Sequence, residues 1–261
     1  MSGEFEHVGV TVEGHLGRLV LNRPPRNALS LDMQRELADA AVWFDATDAR
    51  VVIVSGAGES FCVGADLSLL SDLFDDETVF DLAQADAGRV MGDAIAGMRA
   101  FTIAQIHGHC IGGGLIVAAA CDLRVASRGT IFSIPEAAIG IPLAWGGVPR
   151  LVREIGPAAT KELILTCRPF GSDEAASLGF IGRVVDTANL ETTAETLAEQ
   201  ILARPWSVIS ATKTSVNRAA DELVSTCHSE GDAQLLLAAS QDPESRAAAM
   251  AYLKKMSGDS S

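Results

Sequence analysis

Two short apolar strands each lead into a glycine-rich turn, and each turn leads into a helix. The first turn is Phe61-Cys62-Val63-Gly64-Ala65-Asp66-Leu67, behind the apolar strand Val51 to Ser55. The second is Gly108-His109-Cys110-Ile111-Gly112-Gly113-Gly114, behind Phe101 to Ile106 and ahead of the apolar run Leu115 to Cys121. Gly64 and Gly112 lie 48 residues apart. A chain that repeats strand, glycine turn and helix returns to its sheet at every crossover, which predicts parallel strands with helices outside. Glycine also lets a ligand approach the backbone. At a helix N-terminus the N–H groups are unpaired and the macrodipole favours negative charge. Together the turns predict a site for an oxyanion, as acyl transfer or enolate formation requires. Backbone donors cost no reorganisation when charge develops, and losing one raises the barrier by about 3–4 kcal/mol. Glu136, 23 residues after Gly113, is the candidate base.

Each signal is weaker alone. The triplet Gly112-Gly113-Gly114 by itself fits tight helix–strand packing equally well. A phosphate loop fits less well, because no G-K-[ST] follows and the spacing is not G-x-G-x-x-G. Gly64 permits its turn, and Ala65 is small enough to leave its N–H reachable. Asp66 is expected to cap the next helix rather than to act in catalysis. Glu136 sits in Ile134-Pro135-Glu136-Ala137-Ala138-Ile139-Gly140, where apolar neighbours would raise its pKa and strengthen it as a base. His107 and His109 flank the second turn and are read as packing residues. Nothing near Cys62 or Cys110 would lower a thiol pKa, so a thiol nucleophile is rejected. Ser60 and Ser68 lack a G-x-S-x-G elbow.

Composition narrows the function classes. The chain has 261 residues, 48% of them hydrophobic, enough for one domain or one domain with an appendage. Its formal net charge of −14 and the lack of a basic stripe argue against nucleic-acid binding. The acid is spread along a solvated surface, with a small cluster at Asp72, Asp75, Asp76 and Glu77. The five cysteines form no C-x-x-C and no histidine stands at zinc-like spacing, so reduced thiols in the cytoplasm and no metal are expected. Met1 to His7 is polar and acidic, unlike a signal peptide, and no apolar run is long enough to span a membrane.

Along the chain, Val8, Val10 and Val12 alternate and Leu19-Val20-Leu21 follow a Gly14 turn, which predicts a hairpin. Asn22 to Asn27 is loop. Ser30 should cap a helix with Leu31, Met33, Leu37, Ala41 and Phe44 mainly on one face. A long helix is expected from about Asp75 to Met98, and strands at Leu123 to Ala126 and Ile131 to Ser133. From Ala158 onward the pattern is nearly all helical, with Asn189 to Ala203, Ser207 to Ala220, Leu223 to Gln241 and Pro243 to Met256 as helices. The tail Ser257 to Ser261 is expected to be disordered. The change from α/β to all-α suggests a core at residues 1–200 and a helical region at 201–261 that packs on the core or on a second subunit.

These segments resemble the enoyl-CoA hydratase/isomerase (crotonase) family over nearly the whole chain. The resemblance rests on Asn22-Arg23-Pro24-Pro25-Arg26-Asn27-Ala28-Leu29-Ser30, both glycine turns, Cys121-Asp122-Leu123-Arg124, Pro135-Glu136, Gly140 and Gly146-Gly147-Val148-Pro149-Arg150-Leu151, in family order. It implies an α/β fold, a crotonase-like spiral of ββα units with a C-terminal helical trimerisation domain, assembled as a homotrimer or dimer of trimers. It implies an acyl-CoA thioester as ligand, with coenzyme A part of the substrate and no separate cofactor. By the same resemblance the oxyanion hole would be the N–H groups of Ala65 and Gly113. Asn27-Ala28-Leu29 and Ala65-Asp66-Leu67 would line the CoA site. Lys254 or Lys255 either reaches a neighbour's CoA phosphates or sits on a solvated helix face.

One departure divides the possible reactions. Hydratases of this family resemble one another in carrying two glutamates, one of them three residues after the central glycine. Here that position is Ile116, while Glu136 is kept. Isoleucine can neither orient nor deprotonate water. Shifting a double bond needs only one base, so the favoured expectation is an enoyl-CoA isomerase that works through a dienolate with Glu136 as proton shuttle. The alternatives are a hydratase that uses Glu136 alone and a non-catalytic acyl-CoA binding protein. Trp145 either narrows the acyl pocket or packs in its loop.

Overall fold

The computed structural model describes residues 4–256. The main sheet contains β1 (Val8–Glu13), β2 (Leu16–Leu21), β3 (Val51–Gly56) and β4 (Phe101–Ile106). A short β5 (His109–Ile111) leaves it, β6 (Leu123–Ser127) returns, and β7 (Ile131–Ser133) and β8 (Phe170–Gly171) leave again before β9 (Arg183–Val185) forms the far edge. The main order is β1-β2-β3-β4-β6-β9, antiparallel between β1 and β2 and parallel thereafter. The small sheet runs β5-β7-β8. The expected hairpin forms, with Val10 opposite Leu19.

Helices cover both faces. In chain order they are α1 (Leu31–Asp45), α2 (Leu67–Phe74), α3 (Leu82–Gly97), α4 (Gly113–Ala120), α5 (Glu136–Ile139) and α6 (Gly147–Thr166), then α7 (Ser172–Ser177), α8 (Leu190–Leu202), α9 (Trp206–Leu223), α10 (Asp232–Gln241) and α11 (Pro243–Met256). The pleat of β3 divides its side chains between two cores. Val52 and Val54 join the cluster that holds Leu37 and Phe44 of α1 and Met91 of α3. Val51 and Ile53 turn the other way, to Leu190, Ala194 and Leu197 of α8. Both faces are covered, which is why this strand reads as a continuous apolar run.

Ser30 caps α1 as expected, its hydroxyl accepting from Met33 N–H at 3.2 Å. The expected helix from Asp75 to Met98 is shorter. The Asp75 carboxylate binds Glu77 N–H and the Thr78 hydroxyl, holding that stretch as a turn, and Asp81 with Gln84 forms a capping box that starts α3. The expected helix Leu223 to Gln241 is also broken. α9 ends at Leu223, a 3₁₀ turn occupies Thr226–Ser229, and α10 begins only at Asp232. β8 and β9 lie in a stretch read as nearly all helical, because strands of two and three residues show no alternation to read.

The C-terminal helices do not stand apart. Ala233 and Leu236 of α10 and Ala249 of α11 share a cluster with Leu70, Leu73 and Phe74 of α2 and Ala85 of α3. The tail expected to be disordered, Ser257 to Ser261, lies outside the described residues. Among the described residues, no helix is long and apolar enough to cross a membrane.

Candidate active site

The two glycine turns meet edge to edge. Cys62 N–H donates to His109 O and Ile111 N–H to Cys62 O, both at 3.0 Å, which fixes the first turn alongside β5. Gly64 has φ +89°, and a side chain there would come within 2.9 Å of Ile111 O. A Cβ in that place would also lie 3.4 Å from Gly113 N, so the turns are in van der Waals contact.

This pairing orients the candidate donors. Leu29 N–H donates to Gly64 O at 2.8 Å, and Asp66 N–H to Leu29 O at 3.0 Å. In extended backbone the groups of the intervening residue point the opposite way, so Ala65 N–H faces away from Leu29. Gly113 is the first residue of α4, where no intrahelical acceptor exists for its N–H. Among the described residues neither N–H has a hydrogen-bond partner. Gly112 N–H is instead consumed by Ser133 O at 2.9 Å.

Glu136 opens α5 and brings its carboxylate to this place. Gly112 has φ +49°, and a Cβ on it would overlap Glu136 Oε1. The carboxylate therefore lies directly against the residue that precedes Gly113. Its Oε2 is shielded from solvent and has no hydrogen-bond partner among the described residues. Burial pushes the Glu136 pKa up from 4.5 to about 7. A carboxyl poised near neutrality can both take and return a proton, as a shuttle must.

A cleft of about 770 Å³ opens over Ala65, Gly112 and Glu136. Ala28, Ala65, Asp66, Leu67 and Glu136 line it. Asp66 also caps α2, accepting from Ser68 N–H at 2.9 Å, and pairs with Arg23 at 2.6 Å. Burial raises its pKa, but these donors outweigh burial and hold the carboxylate below its usual range.

Five of the sequence-selected residues do not line the cleft: Gly113, which follows the lining residue Gly112, and four that lie behind the wall. Asn27 is buried with φ +57°. Its side chain accepts from Arg23 N–H and donates to the carbonyls of Ala57, Ser60 and Phe61, so it ties the loop together and does not line the cleft. Leu29 is fully buried beneath Gly113. Ile116 packs into the core, its Cδ1 near Gly147, and does not line the cleft. Trp145, with φ +60°, lays its indole against Gly88 of α3 and Gly113 of α4, leaving only 2.6 Å between Cζ3 and a Cβ built at Gly113. Trp145 thus buttresses the second turn.

Other residues enter the cleft without a local sequence signal. His109, read as packing, lines it while its Nδ1 bonds the Ser60 hydroxyl at 3.1 Å. Tyr252 and Met256 arrive from α11. Lys254 and Lys255 are exposed on the last turn of α11. Burial pushes the Cys62 and Cys121 thiols up to about 12 and Cys110 well above its ordinary value, in keeping with inert core thiols.

The family model for enoyl-CoA hydratase/isomerase matches residues 12–259. The chain belongs to the enoyl-CoA hydratase/isomerase family. Within this family it is 32% identical to the short-chain-enoyl-CoA hydratase of Clostridium acetobutylicum, over 82% of each chain. It is 35% identical to the peroxisomal Delta(3,5)-Delta(2,4)-dienoyl-CoA isomerase of Arabidopsis thaliana, over 82% of this chain and 81% of that protein. Among solved structures, an enoyl-CoA hydratase/isomerase from Xanthobacter autotrophicus Py2 superimposes with TM-score 0.86 at 26% identity, covering 98% of this chain and 94% of that one. The architecture is the crotonase fold, mixed α/β with a C-terminal helical region, and the protein is an enzyme of this family.

Proposed function

We propose that this enzyme shifts a double bond in an enoyl-CoA thioester, with Glu136 as its single proton shuttle. The observation that carries the reading is the buried Glu136 carboxylate, its Oε2 without a hydrogen-bond partner among the described residues, beside two free backbone N–H groups, with Ile116 where a second glutamate would be needed for hydration. Of the other carboxylates that line the cleft, Asp66 is tied to Arg23 and Glu59 is exposed.

In the proposed reaction Glu136 removes a proton from C2 of a 3-enoyl thioester. The C2 electron pair moves into conjugation, and the negative charge rests on the thioester oxygen, held by the N–H groups of Ala65 and Gly113. Glu136 then returns the proton to C4, and the product is the 2-enoyl thioester. Atoms and charge balance with no added reactant, and no separate cofactor is required. Arg23 and Arg26 in the same cleft suit the phosphates of coenzyme A. The family resemblance supports a homotrimer or dimer of trimers, and the free cysteines and acidic, polar N-terminus support the cytoplasm.

The test is proton exchange at C2 and C4 of a 3-enoyl-CoA in deuterated water, with wild type and Glu136→Gln. Exchange with conjugation by the wild type, lost in the variant, is expected. Turnover of a 2-enoyl-CoA to the 3-hydroxy product, without exchange at C4, would overturn the isomerase in favour of a hydratase, as relatives such as the Clostridium protein are named. Tight binding without turnover, unchanged by Glu136→Gln, would leave an acyl-CoA binding protein.

A further inference from the structure

Tyr252 is the single tyrosine of the chain, and it lies in the same cleft as Glu136. Its arrival there depends on Gly140. That residue ends α5 in the left-handed conformation, and any Cβ on it would overlap Ser245 O of α11. The close approach lays α11 along α5, four residues from Glu136, and leaves Tyr252 half-buried in the cleft wall.

Glu136 Oε2 is a buried acceptor without a donor. Such an atom costs about 1–3 kcal/mol, and buried polar atoms ordinarily find partners. Other polar groups of the cleft are committed: Arg23 to Asp66 and Ala28 O, Asp66 also to Ser68, and His109 to Ser60. Arg26 and Glu59 are exposed. Burial lifts the Tyr252 pKa above its ordinary value, and the Glu136 charge in the same cleft lifts it further.

We propose that Tyr252 is a positioning residue for Glu136: its phenol O–H donates to the buried carboxylate oxygen, directly on a side-chain rotation or through one bridging water, and keeps the carboxylate turned toward the substrate carbon. This rests on the reading of Glu136 as the base. It gives α11 a part in the site beyond packing. The other ionisable groups around the pair are Arg23, Arg26, Glu59, Asp66 and His109 in the cleft. The helices packed on α11 add Asp72 of α2 and Asp232 of α10, and α11 itself carries Glu244, Arg246, Lys254 and Lys255.

A lone tyrosine makes the test direct. The ultraviolet absorbance of the phenolate, titrated in intact wild type and in Glu136→Gln, reports Tyr252 alone. Removing the negative charge is expected to bring the phenol transition down by about half a pH unit or more. An unmoved transition overturns the proposal. This readout needs no substrate, so it stands whether the enzyme isomerises or hydrates. The second measurement is the pH profile of kcat/KM for Tyr252→Phe, which keeps the ring and its packing. Loss of the donor should move the acid limb upward, lower kcat by about 10-fold and leave KM within about 2-fold. A fall in activity with the limb unmoved would show that Tyr252 only packs, and would also overturn the proposal.

Discussion

Glu136 and Lys213 are both ionisable groups taken out of water, and the chain treats them in opposite ways. The Lys213 ammonium sits in a second cleft of about 660 Å³, beneath α9. It donates to Asp122 Oδ2 and to Ala100 O, each at 2.8 Å, and the same carboxylate oxygen accepts from Thr102 N–H and hydroxyl. Its neighbours are paired as well, Arg150 with Asp93 at 2.7 Å and Arg153 with Asp221. The Glu136 carboxylate has no charged partner, and its Oε2 has no hydrogen-bond donor among the described residues. Burial with partners fastens α9 to the end of β4, whereas burial without them holds a carboxyl near neutrality and ready to exchange its proton.

The sharpest way to break this contrast is to neutralise each group. Glu136→Gln should cut kcat by about 10²–10⁴-fold in steady-state assays of a 3-enoyl-CoA, with the fold retained by circular dichroism. A loss under 10-fold would remove Glu136 from the chemistry. Lys213→Met should do the reverse. It leaves Asp122 buried and uncompensated, and should cost about 3–5 kcal/mol in urea unfolding while turnover per folded molecule stays unchanged. Adding Asp122→Asn should recover much of that loss, because the orphaned charge is gone.

Burial of Glu136 also makes stability depend on pH. The unfolded Glu136 carboxyl titrates near 4.5 and the folded one near about 7. Between those values the unfolded chain sheds a proton that the native chain keeps. Native stability should therefore fall as pH rises through this window, by about 3 kcal/mol in all, and then level off. Glu136→Gln should remove that slope, and denaturant titrations at pH 4, 6 and 8 would read the difference.

A smaller effect is expected where the site meets its scaffold. In Gly88→Ala the new methyl would overlap the Trp145 indole, which must leave Gly113. Overpacking should outweigh the gain in helix propensity and cost about 1–3 kcal/mol in thermal unfolding. KM for acyl-CoA should change as well, because the second glycine turn loses its buttress. Unchanged kinetics would make Trp145 a packing residue alone.

Much of this site was legible locally. The Pro135-Glu136 segment, Gly64, Ala65 and the Gly112 triplet can be read from the chain, because unusual backbone conformations and free helix N-terminal donors demand particular residues. Ser30 and Asp66 announce their helices for the same reason. Asn27 was legible as a loop residue, but its service behind the wall was not, since only the fold brings the carbonyls of Ala57, Ser60 and Phe61 to its amide. Ile116 shows that a second carboxylate is missing, yet the core near Gly147 that fills its place is a tertiary fact.

The order of residues along the chain is thus enough to read the family, the alternation of strand, turn and helix, and Glu136 as the candidate base. The alternation depends on the periodicity of neighbouring residues and on backbone freedom at single positions, whereas the family rests on the resemblance of its motifs. Long-range packing brings β5 between the two turns, sets Trp145 against Gly113, and carries a tyrosine 116 residues after Glu136 into its cleft. Those contacts join segments that are remote along the chain. Burial and shape select them, and no local pattern records which remote surface a given helix will meet.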